Sequence, residues 1–428
     1  MKKNKNKKIV AAKGWRFRGN ELKYLREVLN SDFKSSASGS MLTRFEKIFA
    51  DKIGVKYAIG TNSGTSALYE ALISCGVGPQ DEVIIPSLTV AMLGFAVIQV
   101  QARPVFADVR KDTFLIDPED VKRKITSRTK AIIAVHMYGQ ICDMEALMKI
   151  ARDNNLHVIE DCAQCYLAKD NKGRLAGTIG DIGCFSLSDT KMITTGEGGI
   201  VITNNLVLAT RVRKFAYLGF KNISAGNAAI RINPKIFQDP SYLRHDTFGH
   251  SYFMSEPTAA IALAQVERIE EFYKKRVKMG VLYRQSLKKC SWLIPQQILP
   301  EQKPSYWTFV ALYEGEKTLG ISWEQFRDKF VELGGDKVIA CWALVYNEPA
   351  IQNVMKNGHY FFDGQSQPKF YYAENWQKPK CPVAEYIQPR LMQFTTNQNS
   401  LEEMRHQISA LRKTIKYFDN LQKPSLIK

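Results

Sequence analysis

The apolar positions of this chain fall into short runs rich in Val and Ile, separated by stretches of helical period. Seven runs lie between residues 57 and 204: YAIGT at 57–61, EVIIP at 82–86, PVFADV at 104–109, AIIAVH at 131–136, HVIED at 157–161, CFSLS at 184–188 and GIVITN at 199–204. Most are continuous rather than alternating, the pattern of strands covered on both faces. Between them SALYEALISC at 66–75, DPEDVKRKI at 117–125 and DMEALMKIARDN at 143–154 have helical spacing, with Asp117 and Asp143 placed as N-caps. Strand–helix alternation of this kind predicts an α/β fold built on a mostly parallel seven-stranded sheet.

A long helical stretch over 255–280 follows and predicts a bridge to a smaller α/β unit. There WTFVALYE at 307–314 reads as a strand, and SWEQFRDKFVELGG at 322–335 as a helix stopped by Gly334 and Gly335. Residues 401–418 read as an amphipathic helix. Residues 351–380 have no clear period and read as an excursion. The expected division is a basic flexible tail over 1–14, a large domain over 15–280 and a small C-terminal domain over 281–428. An N-terminal helix of the large domain is expected to pack on the small one.

Composition changes this picture little. The 428 residues suggest about two domains, and 45% apolar with 24% charged residues is ordinary for a globular chain. The net charge of +18 is high, and five of those charges sit in the first eight residues, leaving +13 on the body. That charge suits an anionic small substrate. No helix-turn-helix, zinc-finger or aromatic RNA-binding pattern accompanies it, so no specific nucleic-acid partner is expected. The basic N-terminus is not followed by a secretory apolar stretch, and the apolar run Thr89–Val100 is too short to span a bilayer. Eight scattered cysteines in a chain of this length point to a reduced, cytoplasmic setting without membrane insertion.

Candidate chemistry concentrates between Asp161 and Lys191. Asp161 ends a predicted strand, where parallel α/β sheets place ligands, and Gln164 follows within a turn. Taken alone, the pair also reads as an N-cap and a polar turn residue. Lys191 alone reads as a surface lysine, but SLSDT before it and MITTGEGG after it would bring backbone close to a phosphate or a ring. An acid and an amine so placed match two demands of pyridoxal phosphate chemistry: a protonated pyridine nitrogen and a Schiff-base lysine. Thr61–Ala67, TNSGTSA, joins a strand to a helix, so Gly64 and Thr65 make an anion cradle at a helix N-terminus. Cys162 and Cys165 form a C-x-x-C read as structural; no second pair or spaced histidines complete a zinc site, and no metal is expected.

Several stretches together resemble the DegT/DnrJ/EryC1/StrS sugar aminotransferases, a family of fold-type I pyridoxal phosphate enzymes. They are GTNSGTSAL (60–68), GPQDEVIIPSLT (78–89), PVFADV (104–109), HMYGQICDM (136–144), VIEDCAQ (158–164), GDIGCFSLSDTKMITTGEGGIVITN (180–204) and FGHSYFMSEPTAAIALAQVERI (248–269). The resemblance implies that Lys191 is the catalytic lysine joined to the cofactor and that Asp161 pairs with the pyridine nitrogen. It also implies that Gln164 contacts the ring oxygen and that Gly64, Thr65 and Ser186 hold the phosphate.

A homodimer with shared sites is implied as well, in which the loop 246–254 crosses to the neighbour. Two departures bear on that loop. Ser251 stands where the family has a phosphate-gripping asparagine, and Phe253 where it has an arginine. Leu88, Thr89 and Val90 follow Pro86 where the family often places a ring-stacking aromatic. The implied reaction moves an amino group from an amino acid, glutamate or glutamine by family habit, to a keto or aldehyde sugar, usually nucleotide-linked. The alternatives on this fold are a sugar dehydratase, which carries histidine at the lysine position, and a non-catalytic scaffold. The aromatic residues Tyr306, Trp307, Trp342, Tyr346 and His359 are candidates for the sugar pocket, set against ordinary packing of a small domain.

Overall fold

The computed structural model describes residues 15–33, 40–226, 233–358 and 376–421. The expected tail over 1–14 and His359 lie outside the described residues. Seven strands form the first sheet: β1 (Tyr57–Thr61), β2 (Glu82–Pro86), β3 (Arg103–Ala107), β4 (Thr129–Val135), β5 (His157–Asp161), β6 (Ile182–Ser186) and β7 (Gly199–Thr203). Their order is β1-β7-β6-β5-β4-β2-β3. The strands from β6 through β3 run parallel, while β7 is antiparallel to both β6 and β1. The expected mostly parallel sheet of seven is therefore present, with one reversed strand. β2, β6 and β7 are buried along their whole lengths, as continuous apolar runs require.

The helices begin where short polar side chains can accept backbone N–H groups. Asp117 accepts from Glu119 and Asp143 from Ala146, as expected. The helix expected at 66–75 starts two residues earlier and spans Gly64–Ser74, because Ser63 caps it by accepting from the Ser66 N–H. The apolar run at 89–100 contains the helix Met92–Gln99, with Leu93, Ala96, Val97 and Ile98 buried.

The expected continuous helix at 255–280 is two helices, Glu256–Glu267 and Ile269–Ser286. They part at Arg268, at φ −110° and ψ 10°, whose N–H turns back to Gln265 O at 3.1 Å and tightens the last turn. Among the described residues no helix is long and apolar enough to cross a membrane.

A second, antiparallel sheet follows, with β8 (Leu293–Pro295), β9 (Thr308–Tyr313), β10 (Ile339–Ala340) and β11 (Leu391–Thr395) in the order β10-β11-β9-β8. Trp323–Glu332 is helical behind a Ser322–Gln325 capping box, and Gly334 at φ +93° follows it. The C-terminal helix runs Leu401–Leu421. Aromatic residues of these elements, among them Tyr283, Phe309, Phe326 and Phe394, build a second core. The helix Ile269–Ser286 enters both cores, with Ile269 and Phe272 in the first and Met279 and Tyr283 in the second. The excursion at 351–380 begins inside the helix Pro349–Asn357, whose Ile351, Val354 and Met355 return to the first core.

Candidate active site

Strands β4, β5 and β6 are neighbours running in one direction, so their carboxyl ends open on the same edge. The last two residues of β5 are acids, and strand alternation sends them to opposite faces. Glu160, fully buried, accepts the N–H groups of Gly177 at 2.8 Å and of Ile179 and Gly180 at 2.6 Å. His136 Nε2 lies 2.8 Å from the same carboxylate, and His136 Nδ1 accepts the Cys142 N–H at 3.2 Å, which places the ring proton on Nε2. His136, Glu160 and Cys162 lie within 4.8 Å of one another, a spacing a metal could use. The histidine and glutamate atoms are already committed to this network.

Asp161 is 4% exposed. Its Oδ1 accepts the Ala163 N–H at 2.9 Å, and among the described residues its Oδ2 takes no hydrogen bond. Burial pushes this carboxyl up, while the Ala163 N–H and the Lys191 charge pull it back. A buried carboxylate with an open oxygen fits a cationic ring nitrogen. Gln164 Oε1 accepts the Tyr138 N–H at 2.8 Å, which leaves the amide's Nε2 as its free, donating end.

Gly64 and Thr65 begin the helix that follows β1, and among the described residues neither N–H has an acceptor. Ser186, the last residue of β6, stands directly beside them: a Cβ on Gly64 would lie 2.6 Å from Ser186 Cβ and 3.0 Å from its Oγ. Only glycine lets the helix end come this close to the strand end. The result is two open N–H groups at a positive helix terminus, with the Ser186 hydroxyl against it, a donor set that fits a phosphate.

Lys191 lies in the loop between β6 and β7 and is partly exposed. Its Nζ sits 4.7 Å from the centroid of the Trp307 ring. Burial lowers its pKa, opposed by the Asp161, Asp189 and Glu197 charges and reinforced by Arg276. The loop is pinned from three sides. Trp307 Nε1 donates to Thr190 O at 3.0 Å, Arg16 Nη1 donates to Asp189 O at 2.8 Å, and Arg16 Nη2 donates to Lys191 O. Arg276 in turn donates to Trp307 O at 2.5 Å and to Thr396 Oγ1 at 3.1 Å. Burial pushes Arg276 down to about 9, and the Arg16 charge adds to it.

The structure thus places Asp161 and Lys191 where the charge of each acts on the other, and brings Gly64, Thr65 and Ser186 into one cradle. Gln164 is anchored at the same sheet edge. Ser251 does not join them within this chain: it is exposed, in a β-bridge with Tyr217, and among the described residues its hydroxyl takes no partner. Its neighbour Tyr252 accepts the Asn62 N–H at 2.7 Å, so the loop 246–254 lies against the β1 end of the sheet. Leu88 is buried in the first core. Cys162 and Cys165 are buried thiols, and all eight cysteines are free. Arg16 and Arg276 had no distinguishing sequence context, being single charges in basic stretches. The paired acids Glu160 and Asp161 did carry a signal, since period two on a buried strand assigns one to the core and one to a site.

A GDP-perosamine synthase of Caulobacter vibrioides is 41% identical over 275 residues, 64% of this chain and 68% of that protein. A solved aminotransferase from Psychrobacter cryohalolentis superposes with a TM-score of 0.81 at 26% identity, over 94% of this chain and 97% of that one. DesV of S. venezuelae, solved in complex with a ketimine intermediate, gives 0.76 at 26% identity, over 93% and 94%. The pattern of one family covers residues 16–410. With the fold and these relatives in agreement, the chain belongs to the DegT/DnrJ/EryC1/StrS aminotransferase family and is a pyridoxal phosphate-dependent enzyme.

Proposed function

We propose that this enzyme transfers an amino group from an amino acid, glutamate or glutamine, to a keto or aldehyde sugar carried on a nucleotide, in amino-sugar biosynthesis. The observation that carries the site is the pair Asp161 and Lys191, whose charges act on each other, one with an open carboxylate oxygen and the other with a pKa lowered by burial. Asp161 would hold the pyridine nitrogen, Gln164 Nε2 the ring oxygen, and Gly64, Thr65 and Ser186 the phosphate. The cofactor supplies an electron sink for the substrate carbon.

The protein's own residues do the rest. Lys191, with its proton held less tightly than a solvated lysine's, serves as nucleophile when neutral and as proton donor when charged. The Trp307 face seats the charged form by a cation–π contact. Arg16, Trp307 and Arg276 fix the lysine's loop so that the amine returns to one place.

The nucleotide-linked acceptor is supported by the GDP-perosamine synthase relative and by the +13 charge on the body. A homodimer accounts for the exposed Ser251 and for Leu243 and Phe248, which are 77% and 76% exposed near it. Ser251 would then reach the partner's phosphate. The division at residue 280 into a cofactor-binding unit and a smaller one is supported by the second core. A cytoplasmic location is supported by eight free thiols.

The test is the donor half-reaction. L-Glutamate added to the pyridoxal phosphate-loaded protein should shift its visible absorbance to the near-ultraviolet and release one 2-oxoglutarate per site. Lys191→Ala should do neither. A wild-type protein that takes up no cofactor would overturn the proposed site.

A further inference from the structure

We propose that Trp342, stacked on Trp307, is the platform on which the acceptor's sugar ring lies. The inference rests on the sugar-acceptor reading above. Trp307 and Trp342 lie 5.9 Å apart between ring centroids and 24° from coplanar. The first is nearly buried at 8% and carries the Lys191 amine over its face; the second is 36% exposed. The two indoles therefore lead from the reactive amine to solvent.

The pair is held in place by groups that also hold the proposed cofactor site. Tyr138, in the turn after β4 at φ +62°, donates its N–H to Gln164 and accepts the Trp307 N–H at 3.1 Å. Its hydroxyl lies 3.3 Å from the sulfur of Cys341, the residue before Trp342. Gln388 donates to Cys341 O at 3.4 Å. One residue thus ties the amide beside the ring, the indole beside the lysine and the segment bearing the exposed indole. That rigidity is what a specificity surface requires.

Two other described aromatic residues of the region are occupied elsewhere. Tyr306 packs against Gly280, where a Cβ would come within 2.4 Å of its ring, and Tyr346 is fully buried with its hydroxyl on Glu385 at 2.9 Å. An exposed indole stacked on the ring that carries the amine suits a ligand ring that presents C–H groups on one side and hydroxyls at its rim. A pyranose does this, whereas a small charged amino-acid donor does not.

The test separates the two half-reactions in wild type, Trp342→Ala and Trp342→Phe. The acceptor probes are GDP-4-keto-6-deoxymannose and dTDP-4-keto-6-deoxyglucose, with free GDP and dTDP as inhibitors. Trp342→Ala should raise the acceptor KM about tenfold, the size of one aromatic contact, and Trp342→Phe should return it to within about threefold. The nucleoside diphosphate inhibition constants and the glutamate half-reaction should stay close to wild type. An unchanged acceptor KM in Trp342→Ala overturns the platform. Inhibition constants that rise as much as KM overturn it too, since the indole would then carry the base. A wild type that reacts with glutamate or glutamine but with neither acceptor contradicts the sugar reading beneath it, and one that fails with both amino acids contradicts the transaminase site.

Discussion

Glu70 shows how much one buried residue can reveal about its own protonation. It lies fully buried in the helix Gly64–Ser74. Thr61 Oγ1 sits 2.6 Å from Glu70 Oε1 and 2.9 Å from Tyr252 O. The Thr61 hydroxyl has one proton to donate toward both oxygens, so Glu70 Oε1 receives only a shared hydrogen bond from it. Burial pushes its carboxyl up to about 8, against the Thr61 hydrogen bond and the Arg213 charge. Arg213 is itself bound to Glu46 by two 2.7 Å contacts.

The folded state therefore holds the Glu70 proton more tightly than the unfolded chain. This contribution to stability is lost as pH rises from about 4.5 to about 8 and is level beyond. Glu70→Gln should accordingly gain on wild type in melting temperature as pH is raised from about 5 to about 8.5. A difference between the two proteins that does not change with pH would show that Glu70 does not titrate in this range.

At the scale of elements, the site is a meeting of ends. The carboxyl ends of β5 and β6, the start of the helix after β1 and the loop before β7 converge because the strand order puts β5, β6 and β7 side by side. Gly64→Ala tests the closest of these meetings. The added Cβ would collide with Ser186, at a cost of roughly 1–3 kcal/mol, as overpacking generally has. Pyridoxal phosphate affinity should fall at least about tenfold, since one open N–H group moves with the helix end. A variant that binds the cofactor as tightly as wild type would remove Gly64 from the phosphate cradle.

The sequence made most of this convergence legible. Continuous Val/Ile runs located all seven strands of the first sheet, because burial on both faces removes the polar positions that blur a strand's identity. The helix ends were legible where Asp117 and Asp143 cap them. What stayed hidden was set by tertiary contact. The break at Arg268 leaves the helical period of 255–280 intact and is visible only in backbone angles. Arg16 reaches the Lys191 loop from 175 residues away, and nothing local to it records that.

Taken whole, the molecule joins a parallel sheet that carries the site to an antiparallel sheet whose first long strand, β9, begins beside Trp307. The second core thus has a direct hold on the lysine's loop, through Trp307 Nε1 on Thr190 and Arg276 on Trp307. In the proposed dimer the loop 246–254 completes the cradle from the other subunit, so cofactor retention would follow assembly. All of this assumes that Lys191 is the residue the cofactor joins. The direct measurement is borohydride reduction of the pyridoxal phosphate-loaded protein, followed by mass mapping of its peptides. One reduced cofactor per chain is expected, on the peptide containing Lys191, and none in Lys191→Ala. The same adduct on another lysine, or an equal yield from Lys191→Ala, would contradict it.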